Sequence, residues 1–198
     1  MASEIATACG ATLDVIVTRK IGFPRQPELG VGAIAEGMLD PVYDDWMLTR
    51  LGITPADLTA TVASERAELA RRVRVYRPGR PPPDVAGRPV IVVDDGLATG
   101  VTARAALRSL RTGAFGSGAS GSGASGSGAP GSGAPGSLIL AVPVASPSAA
   151  AALATEADRL VILVTPRGFA SVGEWYESFP QLADADVLAL FPGLVLPA

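Results

Sequence analysis

Two adjacent carboxylates, Asp94 and Asp95, end the uncharged run Pro89-Val90-Ile91-Val92-Val93, and Gly96-Leu97-Ala98-Thr99-Gly100-Val101-Thr102 follows them. Such a set can recognise a phosphorylated sugar. Carboxylates cannot face a phosphate, but they accept hydrogen bonds from vicinal hydroxyls or hold a divalent cation that bridges to the ligand. Gly96 and Gly100 let the main chain approach a phosphate, and Thr99 and Thr102 add hydroxyl donors. The apolar run reads as a strand and residues 103–111 as a helix. In an open parallel sheet, ligands bind beyond the carboxyl ends of the strands, where free N–H groups and the positive end of the next helix attract an anion. The plainer reading makes Asp94 and Asp95 helix caps. Two acids followed by Thr-Gly-x-Thr suit a cap less well.

Composition removes several competing chemistries. The 198 residues contain no histidine, which excludes Ser-His-Asp triads, His-ligated zinc and imidazole bases. Cys9 is the single cysteine, so neither an internal disulfide nor a cysteine metal cluster can form. A net charge of −3 gives no surface argument for nucleic acid or an anionic membrane. No apolar run approaches the length of a membrane span, and Met1-Ala2-Ser3-Glu4-Ile5 lacks a signal core, so the expected location is cytoplasmic. There is no Gly-Lys-Ser/Thr loop for an NTPase. A receiver-like protein phosphorylated on the Asp pair would leave Thr99-Gly100-Val101-Thr102 without a role.

The elements that must position these residues alternate between strand and helix. Residues 2–9 read as the end of an amphipathic helix stopped by Gly10, and 13–18 as a strand buried on both faces, with Arg19 and Lys20 at its carboxyl end. Residues 22–30, with Pro24 and Pro27, read as a loop and 31–35 as a short strand. Helices are expected over 44–51 and 55–75, the second carrying acids and arginines that pair at helical spacing. A Pro- and Gly-rich turn over 77–88 leads into the acidic strand. Further on come a strand over 138–144, a helix over 148–157 and a last buried strand over 160–164. The fold class expected is therefore α/β, with a parallel, Rossmann-like sheet in one domain. Residues 113–137 differ in kind: ten of the 23 glycines lie there in Gly-Ser-Gly-Ala repeats without charge, the composition of a flexible linker.

The run Val90-Ile91-Val92-Val93-Asp94-Asp95-Gly96-Leu97-Ala98-Thr99-Gly100-Val101-Thr102 resembles the PRPP-binding signature of the type I phosphoribosyltransferases, matching at every diagnostic position. The resemblance implies a phosphoribosyltransferase core with a C-terminal hood over 165–198 and a mobile lid within 22–88. It implies an enzyme that transfers the 5-phosphoribosyl group between PRPP and a nitrogenous, purine-like base with release of pyrophosphate. Asp94 and Asp95 would hold the ribose hydroxyls directly or through Mg²⁺, the backbone of residues 98–102 would bind the 5′-phosphate, and Gly96 and Leu97 complete the PRPP-binding loop. Arg19 and Lys20 match the family's basic pair near pyrophosphate, with Lys20 joining the acids in catalysis. Water would otherwise capture the activated ribosyl group, which gives a lid its purpose. Sheet enzymes of this kind often form homodimers.

The tail Thr165-Pro166-Arg167-Gly168-Phe169-Ala170-Ser171-Val172-Gly173-Glu174-Trp175-Tyr176-Glu177-Ser178-Phe179 is similar to the hood of the hypoxanthine-guanine branch. By that likeness Phe169 and Val172 contact the base and Glu177 joins Asp94 and Asp95 at the metal. Trp175, Tyr176 and Phe179 read instead as a small apolar cap on the sheet. The order of motifs looks closest to an uncharacterised bacterial phosphoribosyltransferase-like group. Members of the fold also carry a first strand and a small-residue pyrophosphate loop ahead of the first helix. The sequence begins inside that helix, so the expectation is an N-terminally truncated domain. A regulator that binds PRPP or a nucleotide without turnover is the second reading.

Overall fold

The computed structural model describes residues 1–115 and 133–191. Two three-stranded sheets share the chain. The first is antiparallel and is built from β1 (Thr18–Phe23), β2 (Gln26–Ala35) and β3 (Val42–Tyr43), in that order. The second is parallel and is built from β4 (Pro89–Val93), β5 (Ser137–Val144) and β6 (Arg159–Val164), also in order. Helices α1 (Ala2–Cys9), α2 (Asp45–Leu51), α3 (Thr59–Tyr76), α4 (Val101–Arg111), α5 (Pro147–Leu153) and α6 (Asp184–Leu188) complete the mixed α/β fold. A 3-10 turn over Pro55–Leu58 leads into α3.

Alternation in β5 sets the parallel core. Leu138, Leu140, Val142 and Val144 are buried, while the residues between them are half-buried. Leu138, Leu140 and Val142 pack with Leu97, Leu107, Leu110 and Leu153. Full burial of one such leucine contributes about 1.5–3 kcal/mol. Residues 31–35 of β2 are all buried because both faces are covered. Val31 and Ile34 meet Leu48 and Leu58, whereas Ala33 and Ala35 leave room for α4 at Val101 and Ala105.

Several expectations are corrected. The run 13–18 joins a ladder only from Thr18; the Val17 carbonyl accepts from the Glu36 N–H at 2.8 Å, and other main-chain groups over 13–17 are taken by side chains. Asp14 Oδ1 accepts from the Val15 N–H at 2.7 Å, Arg77 donates to the Val15 carbonyl, and the Val17 N–H reaches Glu36 Oε2 at 3.4 Å. Residues 22–30 form the end of β1, a tight turn at Pro24-Arg25 and the start of β2, so the short strand over 31–35 is the second half of a ten-residue one. Pro27 is tolerated because β3 pairs only with Gly32 and Ala33, leaving that part of β2 an edge. Helix α5 stops at Leu153, short of 157. The last strand is an exposed edge: Leu163 is 76% exposed and Val161 and Val164 are also open, since no described element covers that face.

The two sheets are joined through a buried charge cluster. Arg77, 4% exposed, pairs with Asp14 at 3.1 Å and with Glu36, and its guanidinium lies 5.1 Å from the centroid of the Phe115 ring. Ser109 of α4 donates its hydroxyl to the Glu36 carbonyl. Phe115 is thus a buried anchor where the Gly-rich stretch begins. Of the 113–137 stretch, residues 116–132 lie outside the described residues; Gly113 and Gly133 are neighbours, so the chain leaves and returns at one place. Among the described residues no helix is long and apolar enough to cross a membrane.

Candidate functional site

The acidic loop is positioned by the end of β5. Leu97, 1% exposed, donates its N–H to the Val144 carbonyl at 2.9 Å and accepts from the Ser146 N–H at 2.8 Å. Ser146 Oγ donates to the Ala98 carbonyl at 2.7 Å. These bonds pin the middle of the loop, with Asp95 exposed on one side of Leu97 and Ala98 and Thr99 on the other. Gly100 adopts φ 73°, a left-handed conformation suited to glycine, and a Cβ there would come within 2.7 Å of Leu153 Cδ1. At Gly96 the space is closed instead by Val172 and Val144, whose Cγ1 atoms would lie 2.7 and 2.9 Å from a Cβ.

Neither carboxylate caps α4. No side chain caps that helix, and Thr99 Oγ1 reaches only the Val101 N–H, at 3.5 Å. The main-chain donors at the start of an 11-residue helix therefore point into the loop, with the positive end of its dipole behind them. Thr99 and Ala98 are exposed, and Thr102 is half-buried. Asp94 is half-buried, and Asp95 is exposed. Among the described residues neither has an ion-pair partner. Burial pushes the Asp94 carboxyl up to about 6, the neighbouring Asp95 charge adds to the rise, and the Asp95 N–H, donating at 2.9 Å, opposes it. Asp95 is also raised by burial, and the Gly96 N–H draws it back down. Two unneutralised acids beside an open helix start form a bipolar site, with hydroxyl or cation recognition on one side and anion recognition on the other.

The basic pair lies on β1 of the antiparallel sheet and is already neutralised there. Arg19 Nε donates to Glu65 Oε2 of α3 at 2.7 Å. Lys20 Nζ donates to the Glu28 carbonyl at 3.0 Å and reaches its carboxylate at 3.4 Å. Glu65 and Glu28 were not visible as partners in the sequence, being 46 and 8 residues from their cations. Val172 stands against Gly96, so it is brought to the acidic loop. Phe169 is half-buried and Glu177 exposed. Among the described residues no three acidic, cysteine or histidine side chains converge, so Glu177 does not complete a metal cluster with Asp94 and Asp95.

The sequence reading missed the role of Tyr176. Its hydroxyl donates to the Asp95 carbonyl at 2.5 Å across 81 residues of sequence, and its ring lies 5.1 Å from that of Phe179. Burial raises the Tyr176 hydroxyl, and the charges of Asp95 and Asp94 raise it further. Of the three aromatics expected as a cap, Tyr176 is thus a contact of the acidic loop, while Trp175 and Phe179 are 44% and 47% exposed.

Two curated proteins from Mycobacterium tuberculosis, strains CDC 1551 and H37Rv, each carry the name "Putative phosphoribosyl transferase" and share 36% identity with this chain over 189 residues. The match takes in 96% of this chain and 38% of each relative, so the chain spans well under half their length. Among solved structures, TT1426 from Thermus thermophilus superposes with a TM-score of 0.65 at 34% identity, over 95% of this chain and 79% of that one. No protein-family model matches.

Proposed function

The chain belongs to the phosphoribosyltransferase-like group, and from that premise we propose that it binds PRPP at the loop from Asp94 to Thr102 and transfers the 5-phosphoribosyl group to a nitrogenous, purine-like base. The supporting observation is a pair of carboxylates with no ion-pair partner among the described residues, beside a helix start whose N-cap residue offers no side-chain hydrogen bond. A ligand carrying hydroxyls at one end and phosphate at the other satisfies both at once. In the transfer, the bond between the ribose anomeric carbon and pyrophosphate breaks and its electron pair leaves with pyrophosphate. A base nitrogen forms the new bond and gives up its proton. The Asp94 and Asp95 carboxylates would hold the sugar hydroxyls and stabilise positive charge as it develops on the ring. The N–H groups of residues 98–102 would orient the 5′-phosphate, and Phe169 and Val172 would flank the base.

Mg²⁺ fits this donor set. It binds through one or two carboxylates plus substrate phosphates rather than through an all-protein cage, and two unpaired acids are what the loop offers. Asp94 and Asp95 would hold it, and when bound it supplies charge neutralisation at the pyrophosphate. Arg19 and Lys20 would serve the same leaving group only by exchanging Glu65 and Glu28 for it. That pairing favours the second reading, a regulator that binds PRPP without turnover.

Titration calorimetry with Mg-PRPP tests the proposal. The wild-type protein is expected to bind, and the Asp94→Asn plus Asp95→Asn variant to lose more than about 100-fold in affinity, some 2.7 kcal/mol, while melting as a folded protein. Unchanged binding in that variant would sink the assignment. Binding without pyrophosphate release across a panel of purine and pyrimidine bases would favour the regulator.

A further inference from the structure

Tyr176 has a use that a cap on the sheet does not require. Its hydroxyl donates to the Asp95 carbonyl. That carbonyl is Asp95's own, bonded to the Cα that bears the carboxylate side chain, and it shares a peptide unit with the Gly96 N–H. A peptide unit is planar, so fixing its oxygen fixes the direction of its N–H. The Tyr176 hydroxyl therefore fixes one peptide plane, and with it the backbone from which the Asp95 carboxylate projects. Val172 packs against the same unit on the Gly96 side, where any Cβ would collide with it. The Tyr176 ring is steadied by Phe179, whose Cδ1 also lies 3.3 Å from where a Cβ of Gly173 would be. Two separate contacts thus seat residues 172–179 on one peptide of the acidic loop.

We propose that Tyr176 is a positioning residue that, by holding the Asp95–Gly96 peptide, sets the Asp95 carboxylate for the hydroxyls of the ligand's sugar. The inference rests on the PRPP-binding reading. It makes the C-terminal segment part of sugar recognition as well as a wall of the base site. The effect is specific to the hydroxyl end of the ligand, because the phosphate end is served by residues 98–102, which Ser146 and Leu97 hold independently of Tyr176.

Calorimetry on the full chain with Tyr176→Phe, Asp95→Asn and the double variant reads this directly, using Mg-PRPP, ribose 5-phosphate and inorganic phosphate as probes. Tyr176→Phe is expected to weaken PRPP and ribose 5-phosphate about tenfold and to leave inorganic phosphate, which has no sugar hydroxyls, unchanged. In the Asp95→Asn background the same substitution should add little, since the group it positions is gone. Equal weakening of all three probes, no weakening at all, or full additivity with Asp95→Asn would overturn the proposal. Hydrogen exchange at the Gly96 amide of the unliganded protein separates this from failure of the PRPP reading. If the wild type binds no PRPP but Tyr176→Phe accelerates Gly96 exchange, the positioning stands and the ligand assignment falls. If exchange at Gly96 is unchanged, the positioning itself is wrong.

Discussion

The acidic loop and the basic strand make opposite use of their charges. On β1, Arg19 and Lys20 each have a carboxylate within 3.4 Å, and both pairs lie within the antiparallel half of the molecule. On the loop after β4, two like charges sit side by side with no ion-pair partner among the described residues, and one has its carboxyl pushed up to about 6. The first arrangement stabilises the fold as it stands. The second costs stability and persists because β5 and α4 fix the backbone that carries it. The sequence resemblance takes in both regions by residue type, and is the stronger at the acidic loop. The electrostatics separate an acid pair with no ion-pair partner among the described residues from a basic pair that has internal ones.

The largest expected contrast is steric. Gly96→Ala would drive a Cβ into two valine methyl groups at 2.7 and 2.9 Å, on Val172 and on the β5 core residue Val144. A loss of about 1–3 kcal/mol is expected from overpacking, together with displacement of residues 172–179. Gly30→Ala on the basic side meets only the Lys20 stem, at 3.1 and 3.2 Å, which can swing aside into solvent. It should stay within about 0.5 kcal/mol of wild type. Chemical denaturation of the two variants checks the difference, and equal losses would break the contrast.

A smaller effect follows from the Asp94 carboxyl. Its value in the folded protein lies above the ordinary one of 3.8, so the folded state binds a proton more tightly than the unfolded state between about pH 4 and pH 6. Stability attributable to this group is therefore highest below pH 4 and falls as pH rises through 6. Asp94→Asn removes the penalty. Without divalent cations it should be more stable than wild type by about 1 kcal/mol at pH 7.5, after allowance for solvent screening of a half-exposed group, and equal to it near pH 4. A variant that gains stability while losing PRPP affinity would mark the acid pair as kept for binding. Thermal melts across that pH range measure it.

What was legible in the sequence was what is local in the chain. The acidic strand, the two glycines, the loop and α4 are contiguous, and their chemistry depends on neighbours a few residues away. Helix α1 was legible for the same reason, since Gly10 closes it in a left-handed conformation with φ 61°. The hairpin over 18–35 was not, because Gly22, Pro24, Pro27 and Gly30 read as loop residues until β3 is seen to leave half of β2 as an edge. Exposure of β6 was hidden too: an apolar run specifies a strand, but covering of its second face depends on what packs there. Glu65 and Tyr176 act across 46 and 81 residues, and nothing in local pattern joins them to Arg19 or Asp95.

The smallest effects test the basic side. Lys20–Glu28 joins two exposed side chains, with Glu28 95% open, so Glu28→Gln should change stability by less than about 0.5 kcal/mol. Arg19–Glu65 is shorter and partly sheltered, and Glu65→Gln should cost about 0.5–1 kcal/mol. The informative quantity is what each substitution does to inorganic pyrophosphate binding. If Arg19 and Lys20 exchange their acids for pyrophosphate, both substitutions remove a competitor and tighten it, Glu65→Gln the more, because its pair is the stronger. If the pairs are structural, stability moves and pyrophosphate affinity does not. Calorimetry with pyrophosphate on both variants therefore decides whether the basic strand belongs to the proposed site or only to the fold, and a null result on both would confine that proposal to the acidic loop.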